Sequence, residues 1–153
     1  MSTITICSSA NFYRQAVDIQ DQLEKEGFDV IVPVTARRMK ESGDFEVDHY
    51  KTWFANADDY HKKATLMRAH FDEVAKADAI LVLNYEKHGS ANYIGGNVLM
   101  EMCLAFYLHK PIFILNEVPE DSAYVEEIRG MEPVLLHGDV TALASEFKKL
   151  AKQ

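Results

Sequence analysis

The sequence predicts an α/β fold, a five-stranded parallel sheet with helices on both faces. Three observations carry this. Short apolar runs recur along the chain, helical patterns lie between them, and no repeat, low-complexity segment or Pro/Gly/Ser-rich linker divides the 153 residues. A chain of that length suits one domain with a proper core.

The runs are TITIC (3–7), FDVIVPV (28–34), AILVLN (79–84), PIFILN (111–116) and PVLL (133–136). Continuous apolarity over so few residues is the pattern of strands covered on both faces. Val17, Ile19, Gln20 and Leu23 belong to a first helix that ends at Gly27, a residue suited to a C-cap. Leu66, Met67, Ala69, His70, Phe71 and Val74 recur at helical spacing over 60–77. A third helix spans 97–109 and is closed by Lys110 and Pro111. The last spans 139–152, with Asp139 as N-cap and Leu143, Phe147 and Leu150 as its apolar stripe. Strand–helix alternation gives parallel βαβ units. Five such strands predict a flavodoxin-like, doubly wound domain of order 2-1-3-4-5. The stretch from Thr35 to about Asp59 is long for a connection and holds Phe45, Tyr50, Trp53 and Phe54. It reads as a partly helical flap over a site rather than as disorder. Its aromatics suit a core or a ligand-stacking surface.

Net charge is −8, with 48% hydrophobic and 26% charged residues. That excludes wrapping a nucleic acid polymer, which needs a basic face. It leaves room for one small phosphorylated ligand. No stretch approaches the roughly 20 apolar residues of a membrane span. The N-terminal residues lack the pattern of a signal peptide. Cys7 and Cys103 lack metal-ligand spacing and read as reduced residues of a cytoplasmic protein. The six histidines show no zinc spacing either. No metal or organic cofactor is expected.

In such a sheet the ligand sits outside the carboxyl ends of the strands, between the first and third. Two loops meet there, CSSANFYR (7–14) and NYEKHGSANYIGGN (84–97). In the first, Ser8 and Ser9 with Phe12 are substrate-binding candidates, the serines cradling an anion at a helix N-terminus. Simple capping by Ser9 or Asn11 is the alternative. No dinucleotide or P-loop glycine pattern is present. In the second, Gly95 and Gly96 permit close approach of a ligand, and Tyr93 and Asn97 are placed to orient it. Glu101 follows, in what reads as the first turn of an otherwise apolar helix. The helix dipole favours a glutamate there, but its neighbours at i+3 and i+4 are Leu104 and Ala105. A carboxylate in such surroundings needs partners or a task. Three further candidates accompany it. His70 is either a core histidine or an acid, Asp72 lies two residues on, and Asp78 is either a turn residue or catalytic.

ICSSANFY, HFDEVAKADAILVLN, NYIGGNVLMEMCLAFYLHKPIFILNEVP and GMEPVLLHGD together resemble the nucleoside 2-deoxyribosyltransferase superfamily, above all its small bacterial members. The resemblance covers nearly the whole chain and is strongest over 70–119. It implies a flavodoxin-like fold and cleavage or transfer at the N-glycosidic bond of a deoxynucleoside or its 5′-monophosphate. Glu101 matches the glutamate nucleophile that attacks the anomeric carbon. His70 stands at the position of the family's acidic helper. The expected partner is a small nucleoside or nucleotide, and a homodimer or larger homo-oligomer is implied, which the all-round apolar helix 97–109 also suggests. A non-catalytic nucleotide-binding module of the same fold is the second reading. A flavin-binding protein is the third, although a Ser/Thr-rich phosphate loop is missing.

Overall fold

Strand and helix alternate along the chain, and the computed structural model describes residues 1–153. The strands are β1 (Thr3–Ser8), β2 (Asp29–Ile31), β3 (Ala79–Leu83), β4 (Ile112–Ile114) and β5 (Val134–Leu135). They form one all-parallel sheet in the order β2-β1-β3-β4-β5, as the sequence predicts. The helices are α1 (Tyr13–Lys25), α2 (Val34–Ser42), α3 (Tyr60–Lys76), α4 (Gly96–Tyr107), α5 (Val125–Gly130) and α6 (Leu143–Ala151). None is long and apolar enough to cross a membrane.

Side chains alternate across a strand, so each strand feeds two cores. Ile4, Ile6, Leu81, Leu83 and Phe113 pack on one side with Ala16 and Leu23 of α1 and Leu143 of α6. Cys7, Ile80, Val82, Ile112 and Ile114 pack on the other with Val74 of α3, Val98, Met102 and Ala105 of α4, and Ile128 of α5. The parity of Cys7 therefore places its thiol on the same side of the sheet as α3 and α4. Thr5, of the same parity, ties β1 to α3 by donating its hydroxyl to the Glu73 carbonyl at 3.0 Å.

Helix ends follow local rules. α1 closes in a Schellman motif: Phe28 N–H bonds to Leu23 O, Gly27 N–H bonds to Glu24 O, and Gly27 has φ 97°. α4 closes in the same way at Lys110 and Ala105, but there the left-handed residue is His109, with φ 58°. Four boundaries differ from the sequence reading. β2 stops at Ile31 because Pro33 and Val34 open α2. α4 begins at Gly96, so Glu101 lies in its second turn. Asp139 caps a single 3₁₀ turn, Val140–Ala142, which leads into α6. The short α5 had no apolar periodicity to announce it.

The 35–59 segment is helical first, as α2, and then three 3₁₀ turns, Val47–His49, Thr52–Phe54 and Ala57–Asp59. Polar bonds hold it: Ser42 Oγ lies 2.8 Å from the Tyr50 hydroxyl, and Thr52 donates to Asp59 at 2.6 Å. Trp53 is buried and Phe54 exposed.

Candidate functional site

A pocket opens beside the switch point between β1 and β3. Ala10 of the 3₁₀ turn after β1, Tyr13 at the start of α1, Thr35 of α2, Lys51 and Trp53 of the flap, Leu66 and Met67 of α3, and Asn97 of α4 line it. Its deepest polar groups are His70 of α3 and Glu101 of α4, both buried. The enclosed space is about 50 Å³. That admits a group of a few heavy atoms, since one water needs roughly 10–15 Å³ by the same kind of measure.

Glu101 is held from one side. Its Oε1 accepts from Asn97 Nδ2 at 2.8 Å, and Asn97 Oδ1 accepts from Lys63 Nζ at 3.3 Å. Asn97 lies one helical turn before Glu101, which brings the two side chains together. His70 is held from the other side. Its Nδ1 lies 3.1 Å from Glu73 Oε2, and Glu73 Oε1 accepts from Arg37 at 3.0 Å. Burial raises the Glu73 pKa, but the bonds from His70 and Arg37 outweigh it and hold the carboxyl below its ordinary value. Glu73 is thus an ionised acceptor, so His70 Nδ1 donates to it and Nε2 faces the interior.

That nitrogen faces Glu101. His70 Nε2 lies 3.6 Å from Glu101 Oε2, and neither atom has a hydrogen-bond partner. Cys7 completes the group: its sulfur, a His70 ring nitrogen and a Glu101 oxygen all lie within 4.8 Å of one another. Burial pushes the Glu101 carboxyl above the usual range, against the pull of His70, Cys7 and Lys63. Burial and the Glu101 charge push the Cys7 thiol well up. The phenol of Tyr13 is raised for the same two reasons.

The mouth has the opposite character. Lys51, Lys63 and Lys87 are partly buried, and burial lowers the pKa of each. Lys51 also feels the charges of the other two. The ion pairs formed by lysine and arginine use Arg37, Lys40, Lys62, Arg129 and Lys149, and none of these three. Each instead leans on an aromatic ring: Lys51 on Phe54, Lys63 on Trp53 and Lys87 on Tyr93.

Of the residues singled out from sequence, Glu101, His70 and Asn97 meet in this pocket. Ser9 stands nearby, accepting from Lys87 Nζ at 3.1 Å. Neither Ser9 nor any other side chain caps the turn after β1. Ser8 is buried and donates to the Ser9 carbonyl. Phe12 is core, packed edge-on to Tyr85 at 5.3 Å. Asp72 is exposed on α3. Asp78 accepts from Thr3 N–H at 2.7 Å, which puts it at the amino end of β1 and β3, opposite the pocket. It is a turn residue. Tyr93, Gly95 and Gly96 line a separate cavity of about 350 Å³ with Ser90, Pro119 and Tyr124. A Cβ on Gly95 would come within 2.9 Å of the Tyr93 hydroxyl, while Gly96 faces open space. Of the two glycines, only Gly95 is approached closely, by the ring end of Tyr93.

Sequence reasoning missed Cys7, Glu73 and the three lysines. Lys63 alone carried a local signal, seven residues before His70 and so on the same face of α3. The others are joined only by the fold.

No protein-family model matches the sequence, and no curated protein matches it. Among solved structures the chain is similar to FerB, the flavoenzyme NAD(P)H:(acceptor) oxidoreductase from Paracoccus denitrificans. The identity is 13%, over 88% of this chain and 75% of that one, with a TM-score of 0.44. The expected cleavage or transfer at an N-glycosidic bond is not borne out: the structure found is that of an oxidoreductase. The same holds for the description as N-glycosidase, hydrolase or transferase. At that identity and TM-score the likeness transfers neither a flavin nor redox chemistry to this chain.

Proposed function

We propose that the protein binds a small organic anion in this pocket and acts on its buried end through Glu101 and His70. The observation that carries the reading is a pair of pocket lysines outside any ion pair, Lys51 and Lys63, with Lys87 near enough for Lys51 to feel its charge, in a chain of net charge −8, over a floor with one unpartnered carboxylate oxygen and one unpartnered imidazole nitrogen. Partly desolvated ammonium groups without counter-ions favour an incoming phosphate or carboxylate. The narrow floor favours a small polar group beneath it, within hydrogen-bonding and proton-transfer reach of Glu101. Trp53 offers an apolar wall between the two ends.

Thermal melts test this against a panel of sugar phosphates, alkyl phosphates and organic mono- and dicarboxylates, each beside its uncharged parent. A ligand at 100 times its dissociation constant stabilises by about 2.7 kcal/mol. Anionic members are expected to raise the melting temperature, and added salt to weaken the effect. Equal responses to charged and uncharged members would overturn the reading.

A second copy of the chain is the partner that α4 suggests. Met100, Phe106, Tyr107 and Leu108 are exposed on it, Phe106 by 51% and Tyr107 by 79%. Met100, Cys103 and Tyr107 follow one another along a single face. Burying that face in a two-fold dimer removes an apolar stripe from water. Sedimentation at micromolar concentration is expected to give a dimer, and Phe106→Glu to give a monomer. A wild-type species of 17.4 kDa would refute this. A reducing compartment such as the cytoplasm suits the two free thiols.

A further inference from the structure

We infer that Cys7, His70 and Glu101 form a zinc site at the floor of the pocket. The inference goes beyond the anion reading and does not depend on it. The three donors are a thiol, an imidazole nitrogen and a carboxylate oxygen, all buried and within 4.8 Å of one another. Zinc takes this mixture of ligands at bond lengths of about 2.0–2.3 Å, which puts tetrahedral neighbours roughly 3.3–3.6 Å apart. His70 Nε2 and Glu101 Oε2 already stand at 3.6 Å. Small side-chain adjustments bring in the sulfur.

The second observation is independent of that clustering. His70 Nε2 and Glu101 Oε2 are the buried side-chain polar atoms without any partner, and they point at each other. A buried polar atom left unpaired is costly. A cation between them gives both atoms a partner. The surrounding groups are those of a supported metal site. Glu73 accepts from His70 Nδ1 and so fixes the tautomer that leaves Nε2 free to coordinate, and Arg37 anchors Glu73. Asn97 holds the other oxygen of Glu101.

The charge balances. Zn²⁺ enters, the Cys7 thiol proton leaves to solvent, and the thiolate and the Glu101 carboxylate offset the ion beside a neutral imidazole. His70 and Glu101 line the pocket, so the open side of the trio faces it. Three protein ligands with a fourth position open to a water or ligand is the arrangement of catalytic rather than structural zinc. Spacing along the chain hides the site, because the ligands come from β1, α3 and α4 and no two are close in sequence.

Cobalt(II) reports the site. The test protein is the full chain carrying Cys103→Ser, stripped with a chelator, so that Cys7 is its sole thiol. Adding cobalt(II) chloride is expected to give a thiolate-to-cobalt band in the near ultraviolet and tetrahedral bands in the visible. These should saturate at one ion per chain and be discharged by zinc chloride. His70→Gln in the same background is expected to weaken uptake by at least about 100-fold. Absence of the near-ultraviolet band overturns the site, as does uptake unchanged by His70→Gln. No organic ligand is present in this experiment, so its failure leaves the anion reading standing. Loss of that reading in turn leaves the cobalt result unaffected.

Discussion

Replacing Lys51 and Lys63 together by methionine is expected to reduce affinity for whichever anion the wild type binds by about 10- to 100-fold per lysine. Methionine keeps most of the apolar stem and removes the ammonium that each lysine sets over its ring. Folding is expected to survive. Both ammonium groups are partly desolvated, Lys51 is repelled by Lys63, and neither forms an ion pair that the change would break. Titration calorimetry at low and high salt measures the effect. The wild type should lose affinity as salt rises, and the double variant should scarcely respond. An affinity within about twofold of wild type, in a folded double variant, would mean that the lysines do not hold the ligand.

The second large effect concerns stability. Glu101→Gln is expected to stabilise the metal-free protein by about 1–3 kcal/mol, the usual cost of a buried unsatisfied polar group. The change is nearly isosteric. The amide oxygen can still accept from Asn97 Nδ2, now made at 2.8 Å. The amide NH₂ would stand where Oε2 stands, 3.6 Å from His70 Nε2, and supply the donor that pair of atoms lacks. One substitution thus pairs both orphaned atoms and takes a charge out of the interior. For a domain of this size about 2–4 °C of melting temperature goes with each kcal/mol. Thermal denaturation in chelator, wild type beside variant, checks it. A lower melting temperature for the variant would show that Glu101 and His70 already form a productive ion pair. A higher one would mark Glu101 as a group kept for function at a cost in stability.

The fold was legible because each of its determinants is local. Five apolar runs were long enough for strands and too short for buried helices. Gly27 ended α1 where a left-handed residue was needed. The over-long 35–59 stretch, with Trp53 inside it, was readable as a flap because disorder does not keep four aromatics. Where boundaries failed, a neighbouring residue had taken over the local choice, as Pro33 did for β2 and α2.

The site was legible only in its single most unusual residue. Glu101 stood out since a carboxylate among Leu104, Ala105 and Met102 is conspicuous in any alignment of the helix with its neighbours. Asn97 followed from being one turn away. Asp72 and Asp78 were plausible by residue type alone. Exposure removes the first, and the Thr3 bond at the far end of the sheet removes the second. Phe12, Tyr93 and Gly95 lie between a strand end and the helix that follows it, and Gly96 opens α4. But the direction of a loop side chain is set by packing partners such as Tyr85, and those cannot be read from spacing.

The sequence by itself determined the α/β class, the strand order and the presence of one carboxylate out of keeping with its surroundings, because periodicity and chain connectivity act over a few residues at a time. Tertiary structure alone decided what that carboxylate meets. Cys7 reaches it through the parity of β1, and His70 through the packing of α3 on α4. The lysines of the flap, α3 and the β3–α4 loop converge on one mouth although up to 36 positions separate them. Long-range electrostatics and close packing depend on distances in space, and those exist only once the chain has folded.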